Sequence, residues 1–258
     1  MINIVRCKAG NTLAYADFGN PNGYPILIQH GLIASINEQS LFRMLIDTGM
    51  RLVCIARPGY GDSSPYEMRN IAEYADLVEV LVDELKLTRF DVLGISSGAP
   101  YSYALGFRFP DRVRNLFILS GTPALYDENV LSCWPYPVNK HASMVEMQKL
   151  AYELFFEHLT EEERSRDDIK DSMMYACFGV AQDLKLRCVD WGFQLSDIQG
   201  RVIMRHSRAD EAVPLVTAQI TCELLRDCRL EIRENDPHFS QKVLDDFINT
   251  VITANCSQ

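Results

Sequence analysis

Ser96 stands in Gly94-Ile95-Ser96-Ser97-Gly98, directly after the apolar run that begins at Phe90. A serine hydroxyl attacks a carbonyl only when it is presented to the substrate and a base takes its proton. Small residues two positions to either side let the chain turn sharply between a strand and a helix, which lifts the hydroxyl out of the sheet. Such chemistry needs a base and an acid to orient it. Of the five histidines, His141 and His158 fall in a stretch rich in Met and Phe, His206 lies within an apolar run, and His30 precedes a glycine. His238, in a loop after a short strand, is the candidate base. Asp210, in the loop Ser207-Arg208-Ala209-Asp210-Glu211, is the candidate acid; Glu211 beside it and Asp236 near His238 compete for that role.

These residues need a scaffold. Ile2–Cys7 and Thr12–Phe18 read as an antiparallel hairpin at a sheet edge, joined by the turn Ala9-Gly10-Asn11. Tyr24–Gln29 is a compact apolar run of the kind buried on both faces, Arg51–Ala56 reads as another buried strand, Phe90–Gly94, Val113–Ser120 and Arg201–His206 read as further strands, and Arg229–Ile232 as a last short one. Between them, Leu41–Ile46, Ile71–Leu85, Ala99–Phe109 and Pro214–Leu225 carry apolar residues at helical spacing, and Phe239–Ala254 closes the chain. Alternating strands and helices predict an α/β fold with a mostly parallel, twisted, eight-stranded sheet flanked by helices. Residues 123–197 break the alternation with helical pieces rich in large apolar side chains, among them Met144, Met147, Phe155 and Met173. They read as a helical cap inserted into a core of residues 1–122 and 198–258. Functional groups of such sheets gather at the carboxyl ends of the strands, where Ser96, Asp210 and His238 all fall.

The order Ser96, Asp210, His238, with each residue just after a strand, resembles the α/β-hydrolase family over nearly the whole chain. His30-Gly31 is similar to its oxyanion loop, Arg57-Pro58-Gly59-Tyr60-Gly61-Asp62-Ser63-Ser64 to its Gly-x-Gly-x-Ser turn, and Gly94–Gly98 to its nucleophile elbow. The resemblance implies that Ser96 is the nucleophile, His238 the general base and then acid, and Asp210 the group that holds the imidazole tautomer. It also implies an oxyanion hole built from the backbone N–H of Ser97 and of Leu32, with Ile33 the alternative second donor. Pro237 stands before His238, where many relatives carry glycine, and stiffens that loop.

A formal net charge of −10 argues against nucleic acid or an anionic membrane surface as partner. No apolar run is long enough to span a bilayer, and residues 1–10 lack the pattern of a secretory leader, so a cytoplasmic protein is expected. Eight cysteines without a Cys-x-x-Cys pair or a companion His cluster predict reduced, mostly buried thiols and no metal site. The expected activity is cofactor-independent hydrolysis of an ester or related acyl bond in a small, neutral or apolar molecule through an acyl-enzyme. Carbon–carbon bond hydrolysis, thioester hydrolysis, acyl transfer and non-catalytic ligand binding stay open beside it. Nothing in the pattern sets the oligomeric state, and a homo-oligomer is compatible with it.

Overall fold

The computed structural model describes residues 2–8 and 10–256; Ala9 of the expected turn and the Cys256 side chain lie outside them. The strands are β1 (Ile2–Arg6), β2 (Thr12–Gly19), β3 (Pro25–Gln29), β4 (Arg51–Ile55), β5 (Phe90–Ile95), β6 (Val113–Leu119), β7 (Arg201–Ser207) and β8 (Cys228–Arg233). They form one sheet in the order β1-β2-β4-β3-β5-β6-β7-β8. β2 pairs antiparallel with both β1 and β4, and every pair from β4 through β8 is parallel. The chain is therefore an α/β fold with an eight-stranded, mostly parallel sheet.

Helices α1 (Arg43–Asp47), α2 (Ala72–Glu84) and α3 (Ala99–Arg108) follow β3, β4 and β5, while α4 (Glu128–Ser132), α5 (Met144–Phe155), α6 (Glu161–Arg164) and α7 (Asp167–Leu186) all lie between β6 and β7. Helices α8 (Leu215–Glu223) and α9 (Gln241–Cys256) complete the chain. Successive strand residues point to opposite faces, so the central strands feed two cores. Val53, Val92, Leu116, Ile118 and Val202 pack with Val78 and Leu81 of α2 on one face. Leu52, Leu93, Phe117, Leu119 and Ile203 pack with Leu244, Phe247 and Val251 of α9 on the other.

The helices between β6 and β7 begin with strong local signals. Ser143 and Glu146 cap α5 reciprocally, and Thr160 and Glu163 do the same for α6. Helix α7 is broken inside: Tyr175, Ala176 and Cys177 adopt left-handed conformations at φ +52°, +55° and +61°. The Gln148 side-chain amide of α5 donates to the Tyr175 and Ala176 carbonyls, both at 3.0 Å, and so satisfies acceptors that the break frees. Among the described residues, no helix is long and apolar enough to cross a membrane.

The expectation of eight reduced thiols needs correcting. Cys222 and Cys228 are joined by a disulfide across a separation of six residues. The turn from α8 into β8 brings their Cα atoms to 5.6 Å, within bridging range, a proximity that no sequence motif announces. Cys7, Cys54, Cys177 and Cys188 are free and buried, as small apolar side chains are.

Candidate active site

Ser96 sits at the junction of β5 and α3 with φ +50°, a left-handed conformation that costs an L-residue about 1–2 kcal/mol. Close packing explains both flanking glycines. A Cβ on Gly94 would lie 2.3 Å from Ser102 Oγ of α3, and one on Gly98 would lie 2.1 Å from the Gln29 carbonyl oxygen at the end of β3. The strand, the turn and the helix are thereby pressed together, and Ser96 alone in the motif remains partly exposed.

His238 reaches back from the loop after β8. Its Nε2 lies 2.9 Å from Ser96 Oγ and its Nδ1 lies 2.8 Å from Asp210 Oδ2. The carboxylate accepts at Oδ2, so the ring carries its proton on Nδ1 and leaves Nε2 to accept from the serine hydroxyl. Asp210 is buried after β7, with Oδ1 taking the N–H groups of Ala212 at 2.9 Å and Val213 at 2.8 Å. Burial opposes its ionisation, but the hydrogen bond from His238, the attraction to that ring in its protonated form and the Val213 N–H outweigh it, and the carboxyl is held below the usual aspartate range. Glu211 and Asp236, the competing acids, make no such contact with His238: Tyr136 Oη donates to the Glu211 carbonyl, and the Asp236 carboxylate faces Arg233.

A second histidine borders this group. His206, the penultimate residue of β7, is fully buried, with Nε2 2.8 Å from the Val213 carbonyl and 3.3 Å from Asp210 Oδ2. Burial lowers its pKa, so the neutral ring donates from Nε2. Its place inside an apolar strand hid this contact from sequence reasoning.

The loop after β3 lies across the serine. A Cβ on Gly31 would be 4.0 Å from Ser96 Cβ, and Leu32 and Ile33 follow, both half-buried. The Ser97 N–H belongs to the start of the turn leading into α3, one of the amides a helix start leaves without an intrahelical partner. His30 is buried, donates from Nδ1 to the Gly31 carbonyl at 2.8 Å and accepts the Arg57 N–H at Nε2 over 3.3 Å. Burial first, and then the Arg57 charge, push its pKa well down, so it is a neutral structural ring.

Arg57 itself, to which the sequence assigns no role, is 1% exposed and pairs with Asp183 of α7 at 2.6 Å from Nη2. Tyr101 and Tyr60 donate to the same carboxylate at 2.6 and 2.9 Å. Burial works against the guanidinium charge, and Asp183 more than compensates, raising the arginine pKa. Both phenols are pushed well up by burial and then by the Asp183 charge, and stay neutral donors.

The helices between β6 and β7 also touch the loops around Ser96. Ser35 Oγ donates to Asp171 at 2.5 Å, and the Ala34 N–H donates to Ser172 Oγ at 3.1 Å. Met144 and Met147 are core, Leu154 and Met174 are exposed, and Met173 and Phe178 pack half-buried on the cluster that also takes Leu32 and Ile33.

Comparison with known proteins agrees with this architecture. An uncharacterized hydrolase of Bacillus subtilis is 32% identical over 111 residues, which are 43% of this chain and 38% of that protein. The 2-hydroxy-6-oxo-2,4-heptadienoate hydrolase of Pseudomonas putida is 22% identical over 232 residues, 85% of this chain and 84% of that enzyme. Among solved structures, an esterase from Exiguobacterium antarcticum superposes with a TM-score of 0.74 at 19% identity, covering 98% of this chain and 99% of its own. The family model for the alpha/beta hydrolase fold matches residues 24–243, from before β3 into α9, and the chain belongs to that family.

Proposed function

We propose that the chain is a serine hydrolase that cleaves an ester or related acyl bond of a small, neutral or apolar substrate through an acyl-enzyme. The observation that carries this reading is the continuous chain from Ser96 Oγ through His238 to buried Asp210, at 2.9 and 2.8 Å, with the serine on a left-handed turn. His238 takes the hydroxyl proton as Ser96 attacks, and the ionised Asp210 stabilises the resulting imidazolium. The tetrahedral oxyanion is held by the N–H groups of Ser97 and Leu32. His238 then protonates the leaving group, and water repeats the sequence on the acyl-enzyme. Residues 123–197 form the cap that shapes the pocket, and Leu32, Ile33, Met173 and Phe178 contribute its apolar wall. None of these steps calls on a cofactor.

Labelling by a fluorophosphonate tests the nucleophile. Wild type is expected to react and Ser96→Ala not to; equal labelling of the two, or none of either, defeats the assignment. Carbon–carbon bond hydrolysis is a second reading, favoured by the match to a relative named for such a compound over 85% of the chain. Turnover of 2-hydroxy-6-oxo-2,4-heptadienoate against p-nitrophenyl esters of graded chain length separates the two.

A further inference from the structure

Three consecutive backbone carbonyls beside Ser96 are held by two buried side chains. Arg57 Nη1 donates to the His30 carbonyl at 2.7 Å and Nη2 to the Gly31 carbonyl at 2.8 Å, while Tyr60 Oη donates to the Leu32 carbonyl at 2.9 Å. The middle contact bears on chemistry. The Gly31 carbonyl and the Leu32 N–H belong to one planar trans peptide, in which C=O and N–H point in opposite directions. Fixing the carbonyl therefore fixes where the N–H aims, and a cation on the carbonyl oxygen polarises the same peptide and strengthens its N–H as a donor. His30 Nδ1 donates to that carbonyl as well, at 2.8 Å, so both of its lone pairs are engaged.

We propose that Arg57, held in place by its ion pair with Asp183, is a positioning residue for the oxyanion hole: it aims and polarises the Gly31–Leu32 peptide whose N–H receives the developing negative charge. This rests on the serine-hydrolase reading above. Asp183 grips the guanidinium from α7 and is itself fixed by Tyr60 and Tyr101, so the arrangement has one geometry. A plain fold staple would need the ion pair and would have no use for donors spread along three carbonyls next to the reacting serine.

The test compares an ester with its thionoester, whose sulfur gains little from N–H donors that stabilise an oxyanion, in wild type, Arg57→Lys, Asp183→Asn and Tyr60→Phe. Thermal melts are run in parallel. Wild type is expected to prefer the ester. In folded Arg57→Lys and Asp183→Asn, kcat for the ester should fall about tenfold to a hundredfold with KM little changed, less than deletion of a donor itself costs. The thionoester rate should fall much less, so the ratio of the two rates collapses toward one. Tyr60→Phe, which loses one O–H and keeps its ring, should show the same change in ratio to a smaller degree, and it serves if the charge variants do not fold. Equal losses on both substrates in Tyr60→Phe and in any folded charge variant, or unchanged ester turnover, overturn the proposal while leaving the serine mechanism intact. A wild type that turns over neither substrate and takes no fluorophosphonate overturns the hydrolase reading and this proposal with it.

Discussion

Gly98→Ala tests how tightly the elbow is seated. The added methyl would lie 2.1 Å from the Gln29 carbonyl oxygen, 2.7 Å from its carbon and 2.9 Å from the His30 carbonyl oxygen. A carbon and a carbonyl oxygen rest about 3.3 Å apart or more, so roughly 1.2 Å of overlap must be relieved. All three neighbours are backbone, and the only relief is to move the end of β3 away from α3 by about 1 Å. That strand end leads directly into Gly31 and Leu32, so the displacement is passed to the proposed oxyanion donor. Overpacking of this kind costs about 1–3 kcal/mol of stability, and a 1 Å misplacement at a reacting centre costs about a hundredfold in rate. Ester turnover and melting should therefore both suffer. Gly94→Ala is the control, because its methyl meets Ser102 Oγ at 2.3 Å, an atom that can be removed, while Ser102 Cβ at 3.1 Å and the Gly98 carbonyl oxygen at 3.2 Å need give only a few tenths of an ångström. The double variant Gly94→Ala/Ser102→Ala should recover to within about tenfold of wild type, while no neighbouring side-chain deletion rescues Gly98→Ala. Turnover by Gly98→Ala within about threefold of wild type would refute the reasoning.

Other consequences are open to measurement. Asp210→Asn keeps the shape but turns a donor toward His238 Nδ1–H or forces the other tautomer; ester turnover should fall about a thousandfold or more, with a melting temperature that stays measurable. Asp210 adds a separate effect on stability. Its folded pKa lies below the ordinary value, so its contribution is fully present above about pH 4 and is lost as pH falls through the folded value, a loss that chemical denaturation should show to be absent in Asp210→Asn. Ala176→Gly relieves an exposed left-handed alanine at φ +55°; a gain of about 1–2 kcal/mol, less about 0.5–1 for glycine's greater freedom when unfolded, nets about 0–1.5 kcal/mol, so the melting temperature should hold or rise by up to a few degrees, and a fall would contradict the reasoning.

The sheet was legible because its strands carry their burial in their composition. Residues 116–119 of β6 are apolar without a break, as in a strand covered on both faces. The meeting of Ser96, His238 and Asp210 followed from three loops at the carboxyl ends of β5, β7 and β8, parallel strands of one sheet with only β6 between the first two. What stayed hidden depends on long-range packing. Arg57 and Asp183 stand 126 residues apart, and nothing in the sequence around either pairs it with the other. The left-handed residues that break α7, Tyr175, Ala176 and Cys177, include no glycine or proline, and the helical spacing of its apolar residues runs straight through. Cys222 and Cys228 become neighbours only when the turn between α8 and β8 closes.

The buried grip of α7 on Arg57 also bears on how such proteins can be recombined. On the proposed reading of residues 123–197 as the cap over the pocket, the stretch between β6 and β7 is where segments would be exchanged among relatives in search of new substrate ranges. Here that stretch carries the counter-ion of a guanidinium rooted in the core. A chimera that receives a foreign segment without an acid at the place of Asp183 inherits an unpaired buried cation, a defect of about 3–5 kcal/mol. Exchange at this joint should keep the fold only when Arg57 and its acid travel together or are replaced together by apolar residues, and on the proposal above the apolar replacement would keep stability but lose ester turnover.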